Sequence, residues 1–125
     1  MNTTFMIYGA NGYTGELIAR SARERGLAPI LAGRNAKVVG ALASELGLPH
    51  RAFDLGNAAA IDAGLSGVAA VLHCAGPFSH TAVPMADACL RNRVHYLDIT
   101  GEIAVFEALA GRDATARAAS VMLLP

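Results

Sequence analysis

Short apolar runs alternate with amphipathic segments along the whole chain. Six runs are apolar at almost every position, which is typical of parallel strands that are buried on both faces. Between them, apolar residues recur at helical spacing, which predicts five helices. The predicted strands lie near residues 4–9, 28–33, 50–54, 68–74, 94–98 and 120–124. The predicted helices lie near residues 14–25, 36–47, 57–64, 81–92 and 102–117.

The strict alternation of strand and helix predicts an α/β fold, a doubly wound parallel sheet of the Rossmann type. Right-handed crossovers favour the strand order 3-2-1-4-5-6. Gly26, Gly47 and Gly64 fall where helices are expected to stop. Pro84 suits the first turn of the fourth helix if Thr81 caps that helix. The length of 125 residues corresponds to one domain, residues 1–125.

The turn after the first strand is rich in glycine and leads directly into a helix. In its spacing, G-x-x-G-x-x-G, Gly9 permits a sharp turn, Gly12 lets backbone approach phosphate, and Gly15 lets the helix pack closely. Free N–H groups and the positive end of the helix dipole would then face the pyrophosphate of a dinucleotide. The alternative is a tight turn whose glycines serve packing only. The predicted pyrophosphate-binding residues are Gly9, Ala10, Asn11, Gly12, Tyr13, Thr14 and Gly15.

The residues after the second strand favour NADP over NAD. Arg34 and Asn35 stand where an acidic residue would bind the ribose hydroxyl of NAD, and the next acidic residue is Glu45. The planar, always charged guanidinium of Arg34 suits the 2′-phosphate of NADP, and Lys37 could add charge. We therefore predict that Arg34 and Asn35 bind this end of the cofactor. The alternative is that Arg34 is a solvated loop residue.

Two further strand ends contribute candidate cofactor contacts. Asp54 follows the third strand, where it could accept from the adenine amino group or fix the loop beneath it, and a simple turn aspartate is the alternative. Ala75, Gly76 and Pro77 follow the fourth strand. These small residues would let the chain pass close to the nicotinamide-side ribose and phosphate, although they also suit an ordinary turn.

Polar residues after the fifth strand form a second candidate cluster. Asp98, Thr100 and Glu102 could position a substrate or a second domain, or they could cap the last helix. His73 and Cys74 lie within an apolar strand and are predicted core residues. His80 follows the fourth strand closely enough to be a candidate site residue. The sequence assigns a catalytic role to none of these residues, and the catalytic residues stay unknown.

Composition excludes several classes of partner. Ten basic and ten acidic residues give a formal net charge of zero, and their interleaving argues against nucleic acid binding. No apolar run approaches the ~20 residues of a membrane span, and the start lacks the basic region of a signal peptide. Cys74 and Cys89 lack metal-type spacing, so no metal is predicted and a reduced, cytoplasmic protein is expected.

Four motifs together resemble the N-terminal NAD(P)-binding domain of saccharopine dehydrogenase-like proteins, in the branch with the trans-acting enoyl reductases. They are residues 8–15 (YGANGYTG), 31–35 (LAGRN), 74–78 (CAGPF) and 96–102 (YLDITGE). The resemblance implies an NAD(P)-dependent oxidoreductase in which residues 9–15 contact pyrophosphate, Arg34 the adenosine ribose or its phosphate, and residues 75–77 the nicotinamide side. It transfers no proton donor and fixes no substrate, which could be a small or a lipid-like molecule.

The resemblance also implies a substrate and dimerisation domain after residue 125. The apolar run at residues 120–124 fits this expectation, and an exposed apolar edge there predicts a homo-oligomer. On this interpretation the chain is the N-terminal part of a longer enzyme and turns over nothing alone.

Two other functions remain open at this stage. A short-chain dehydrogenase-like domain would need a Tyr-x-x-x-Lys pair, but Tyr8, Tyr13 and Tyr96 are the only tyrosines and Thr100 stands four residues after Tyr96. A non-catalytic NADP(H)-sensing domain that acts through a protein partner could have the same sequence features. Turnover by the full-length protein with candidate substrates would separate these functions.

Overall fold

Six short strands form a single sheet in the computed structural model, which describes residues 1–125. They are β1 (Phe5–Tyr8), β2 (Ile30–Gly33), β3 (His50–Ala52), β4 (Ala70–His73), β5 (His95–Asp98) and β6 (Leu123–Leu124). All neighbours pair in parallel, in the order β3-β2-β1-β4-β5-β6. The predicted doubly wound fold and its strand order are therefore confirmed.

The helices connect these strands, and one of them differs from the prediction. They are α1 (Tyr13–Glu24), α2 (Ala36–Leu46), α3 (Ala58–Gly64), α4 (Phe78–Asn92), α5 (Ile103–Ala110) and α6 (Asp113–Ala119). The prediction of one helix over residues 102–117 is wrong, because the chain breaks at Gly111 and Arg112. Arg112 reaches back to the Ala108 carbonyl at 2.7 Å and forms an ion pair with Asp87 on α4 at 2.5 Å, and this anchors the break.

The start of α4 also differs from the prediction. The helix begins at Phe78 after Pro77, so Thr81 lies inside the first turn and does not cap it. The Thr81 hydroxyl instead donates to the carbonyl of Ala75 at 2.6 Å. Pro84 consequently lies in the second turn, not the first, where its ring removes one helical hydrogen bond. The carbonyl that loses this partner belongs to His80, which is exposed and can be solvated.

Alternation along the strands divides the core into two layers. Met6 and Tyr8 of β1 face the larger layer, which α3, α4 and α5 complete. Ile7 faces the smaller layer, which α1 and α2 complete over the other half of the sheet. His73 on β4 is fully buried beside the larger layer, which confirms its prediction as a core residue. Cys74 is only partly buried and packs against the smaller layer.

The smaller layer does not extend to the far half of the sheet. Leu72, Leu97 and Leu124 stand in register with Ile7, and they therefore share its face of the sheet. Leu72 and Leu97 are partly exposed, and Leu124 is 52% exposed. This row of leucines is an apolar surface on β4, β5 and β6.

Candidate cofactor-binding site

A cleft of about 520 Å³ lies at the carboxyl ends of β1 to β4, where the strand order changes direction. Ligands of open α/β sheets bind at this position. The cleft brings together nine of the thirteen residues predicted to contact the cofactor. They are Gly9, Asn11, Gly12, Arg34, Asn35, Asp54, Ala75, Gly76 and Pro77. In the order of the sheet, Asp54 follows β3 and Arg34 follows β2 on one side of Gly9, and Ala75, Gly76 and Pro77 follow β4 on the other.

The other four predicted residues do not line the cleft. Ala10 is fully buried, and its N–H donates to the Ala32 carbonyl at 3.1 Å. Gly15 is buried against the preceding turn, where an added Cβ would lie 2.1 Å from the Gly9 oxygen. Tyr13 and Thr14 are exposed in the first turn of α1.

Gly9 is required by both its backbone and its surroundings. Its φ of +82° lies in the left-handed region that glycine adopts most readily. An added Cβ would lie 2.7 Å from the Ala75 nitrogen, so the turns after β1 and β4 touch at this residue. Gly12 begins α1 without any side-chain cap, and an added Cβ there would meet only the Gly9 oxygen, at 3.4 Å. The uncapped first turn leaves N–H groups free for an anion.

Arg34 and Asn35 have different roles at the end of β2. Arg34 is exposed, lines the cleft and belongs to none of the five ion pairs of the protein. The Asn35 side chain caps α2, because its Oδ1 accepts from the N–H groups of Lys37 at 3.1 Å and Val38 at 3.2 Å. Arg34 is therefore followed directly by a capped helix start, and its guanidinium is unpaired beside the cleft.

Asp54 takes part in a turn and also faces the cleft. Its Oδ1 accepts from the Gly56 N–H at 3.0 Å, whereas its Oδ2 accepts no hydrogen bond from the protein. Tyr8, which the sequence did not single out, lines the cleft beside it and donates to the Phe53 carbonyl at 2.7 Å. Burial raises the pKa of Tyr8 to about 12, and the Asp54 carboxylate adds to that effect. Tyr8 is therefore a neutral phenol at physiological pH.

The turn after β4 forms the opposite end of the cleft. Cys74 lines it with a thiol whose pKa is raised to about 11 by burial and by Asp98, so it is protonated at neutral pH. His80 lines this end as predicted, and Thr81 lies there as well. Thr81 was expected only as a helix cap, although its place one turn after the loop could have indicated a role there.

The cluster after β5 does not reach the cleft. Asp98 accepts from the Tyr96 hydroxyl at 2.6 Å and from the Thr100 N–H at 3.0 Å. The Thr100 hydroxyl accepts from the N–H of Glu102, the residue that precedes α5, and no side chain caps that helix. Of the alternatives open for this cluster, the structure does not show capping of α5, because the bonds of the cluster close a turn before the helix begins.

A second cavity, of about 390 Å³, lies beside α5, α6 and β6. Its only charged residues are Asp113 and Arg117, which pair with each other at 2.8 Å. It therefore offers no free charge to a ligand, in contrast to the cleft that holds Arg34.

Comparison with known proteins identifies the family. The family model described as the saccharopine dehydrogenase NADP binding domain matches residues 5–124. The chain belongs to this family. Saccharopine dehydrogenase-like oxidoreductase from Bos taurus is 27% identical over 116 residues, which take in 78% of this chain and 27% of that protein. Trans-acting enoyl reductase from Mycobacterium leprae is 30% identical over 105 residues, which take in 78% of this chain and 25% of that protein.

Solved structures agree on the fold. Saccharopine dehydrogenase (L-Glu forming) from Saccharomyces cerevisiae superposes with a TM-score of 0.79 at 15% identity, over 96% of this chain and 26% of that one. Triphenylmethane reductase from Citrobacter, in complex with NADP(H), has a TM-score of 0.72 at 16% identity, over 96% of this chain and 47% of that one. The chain spans about a quarter of the length of the curated relatives it matches.

The chain is thus an NADP-binding domain of the saccharopine dehydrogenase-like oxidoreductase family, and its cofactor is NADP. The cleft fits this cofactor chemically. It offers an unpaired guanidinium for a phosphate, a turn in which any Cβ at Gly9 would collide, and an uncapped helix start. No helix in the protein combines the length and the apolar character needed to cross a membrane.

Proposed function

We propose that this domain holds NADP(H) for an oxidoreductase that transfers hydride to or from a small or lipid-like substrate. The continuity of the cleft carries this proposal, because one open surface runs from Arg34 past Gly9 and Gly12 to Pro77. An extended dinucleotide would need contacts at its adenosine end, its centre and its nicotinamide end. When bound, the nicotinamide supplies the hydride, and the protein orients it.

Different residues of this chain would contact different parts of the cofactor. The Arg34 guanidinium binds the 2′-phosphate, and the free oxygen of Asp54 accepts from the adenine amino group. Asn35 contributes by fixing the start of α2 beside Arg34. The pyrophosphate lies on the turn that leads into α1, through Gly9, Ala10, Asn11, Gly12, Tyr13, Thr14 and Gly15. The nicotinamide side lies against Ala75, Gly76 and Pro77.

Substrate binding would fall to a further domain of the whole enzyme. The relatives are about four times as long as the matched segment, and the leucine row on β4 to β6 offers an apolar surface to such a domain. The same surface suits assembly into a homo-oligomer. We also place the protein in the cytoplasm, a reducing compartment that suits its two free thiols, Cys74 and Cys89.

The decisive experiment is titration of the chain with NADPH and with NADH, by nicotinamide fluorescence or calorimetry. The wild-type protein is expected to prefer NADPH. Arg34→Ala removes a charge-assisted contact and is expected to weaken NADPH binding by about tenfold or more while NADH binding changes little. Arg25→Ala, at the far end of α1, is the matched control and should leave both affinities unchanged.

Each contrary outcome has a distinct meaning. Equal binding of NADPH and NADH by the wild type would contradict the proposed role of Arg34, although it would agree with a dinucleotide-binding fold. Equal weakening by Arg34→Ala and Arg25→Ala would show a general effect of charge. Binding of neither cofactor by the chain would contradict the proposed cleft, and the full-length protein would then be tested in the same way.

A further inference from the structure

His73 is the only polar or charged side chain among the buried residues that form the core. It stands at the end of β4 and is fully buried between three aromatic rings. The ring centroids of Phe78, Tyr8 and Tyr96 lie 5.2, 5.8 and 6.0 Å from that of His73. A leucine would suit these apolar surroundings as well, so packing alone does not explain a histidine.

One hydroxyl connects this histidine to the cleft. His73 Nε2 lies 2.9 Å from Thr81 Oγ1, which donates to the Ala75 carbonyl at 2.6 Å. The same oxygen lies 3.2 Å from the Pro77 carbonyl, so both of its other neighbours are carbonyls that can only accept. With its single proton given to the nearer one, Ala75, the oxygen accepts from His73. His73 is therefore the tautomer protonated at Nε2. Its Nδ1 is buried and has no partner, so the ring is retained at a cost in stability.

The far end of this chain of bonds is the turn that lines the cleft. The Ala75 carbonyl accepts its hydrogen bond from Thr81, and no backbone bond ties Ala75 or Gly76 by its own N–H. Ala75 also touches Gly9 of the pyrophosphate turn. The position of Ala75 thus depends on the Thr81 hydroxyl, whose direction depends in turn on His73.

We propose that His73 and Thr81 are positioning residues that set the β4–α4 turn, and through it the nicotinamide half of the cofactor. The inference rests on the proposed function, because it assigns the end of the cleft at residues 75–77 to the nicotinamide. The buried N–H of His73 orients the Thr81 hydroxyl, and the hydroxyl holds the Ala75 carbonyl. Neither residue bonds to Arg34 or Asp54 at the adenosine end, and the His73 ring reaches that end only through Tyr8, at a centroid distance of 5.8 Å.

The test compares NADPH with adenosine 2′,5′-bisphosphate, which lacks the nicotinamide half. Thr81→Val removes the hydroxyl at nearly constant volume and is expected to weaken NADPH binding by about tenfold. Binding of the bisphosphate should change less than about twofold, a separation that a general loss of structure would not produce. Thr81→Ser keeps the hydroxyl and should restore NADPH binding, and His73→Leu should resemble Thr81→Val. Thr115→Val, an exposed threonine on α6, is the control.

Nitrogen NMR of the wild-type histidines gives a second measurement that needs no variant. It should show neutral His73 protonated at Nε2, and protonation at Nδ1 would overturn the inference. Equal weakening of both ligands by Thr81→Val, unchanged NADPH binding, or failure of Thr81→Ser to restore it would overturn it as well. Failure of the wild type to bind NADPH at all would instead contradict the proposed function, and with it this inference.

Discussion

Gly12 and Gly15 stand three residues apart in the first turn of the protein, yet they lack a side chain for different reasons. A Cβ on Gly15 would collide with the Gly9 carbonyl oxygen at 2.1 Å, inside the protein. A Cβ on Gly12 would reach the same oxygen at only 3.4 Å, an ordinary contact, and would otherwise stand in the cleft. Gly15 is therefore required by the fold, whereas the fold leaves room for a side chain at Gly12 and the proposed cofactor would not.

Gly12→Ala and Gly15→Ala should separate these requirements. Gly15→Ala is expected to lower the free energy of unfolding by about 3 kcal/mol or more, because backbone must move to admit the methyl group. Gly12→Ala should lower it by less than about 1 kcal/mol and weaken NADPH binding by tenfold or more. Urea denaturation and NADPH titration check the two effects. A stable Gly15→Ala protein with normal binding would contradict the assignment.

Several residues of the cleft could be predicted from the sequence because their types are informative. Glycines after one strand and an arginine after the next strand form a pattern that predicts a dinucleotide site. Tyr8 and Thr81 could not be predicted in this way, since their roles depend on the Phe53 and Ala75 carbonyls, which only the folded chain brings to them. His73 was predicted as a core residue, but its bond to Thr81 depends on where α4 begins.

Two helices end at a glycine, and replacing these two glycines should affect the stability of the protein in opposite directions. Gly47 ends α2 with φ +67°, in the left-handed region, and its N–H closes the last turn on Ser44. Gly111 ends α5 with φ −62°, a helical value, and an added Cβ would be no nearer than 3.5 Å to the Ala108 oxygen. The first end needs glycine, and the second does not.

Gly111→Ala is therefore expected to stabilise the protein by about 0.5 kcal/mol, because alanine restricts the unfolded chain more than glycine does. Gly47→Ala, the matched substitution, should destabilise it by about 1 kcal/mol because of left-handed backbone strain. Thermal denaturation of both variants checks the signs. Two variants that shift the melting temperature in the same direction would show that backbone conformation does not decide the effect.

The elements themselves were largely predictable, because short apolar runs and helical periodicity are local signals. The break between α5 and α6 was not, since the apolar spacing continues across Gly111. Arg112 fixes the break through its bonds to Asp87 on α4 and to the Ala108 carbonyl. The first of these partners is 25 residues away in sequence, and such a contact leaves no trace in a local pattern.

For the molecule as a whole, His73 makes stability depend on pH. Burial lowers the pKa of His73 from 6.5 to about 4. Between these pH values the unfolded chain takes up a proton at His73 that the folded protein excludes. His73 therefore leaves the free energy of unfolding unchanged above pH 6.5 and lowers it as the pH drops towards 4. The loss between pH 7 and pH 5 should be about 2 kcal/mol.

Urea denaturation at pH 7 and pH 5 measures this loss, with His73→Leu as the control. The variant lacks only this buried imidazole, so the part of the pH dependence that His73 causes should disappear over the same interval. Glu45 and Asp62 do not interfere there. Their pKa values are lowered by Arg20 and Arg91, and the stability they add is lost only below about pH 4.5. A wild-type protein as stable at pH 5 as at pH 7 would contradict the prediction.

The contact between Gly9 and Ala75 also limits how this site can be redesigned. The turns after β1 and β4 meet with no space for even one more carbon atom, so neither can change without the other. A substitution that adds a Cβ at Gly9 would therefore also require Ala75 to move. Arg34 and Asp54, by contrast, are exposed and flank an open rim. Engineering of the cofactor preference should therefore begin at that rim, where side chains can be exchanged one at a time.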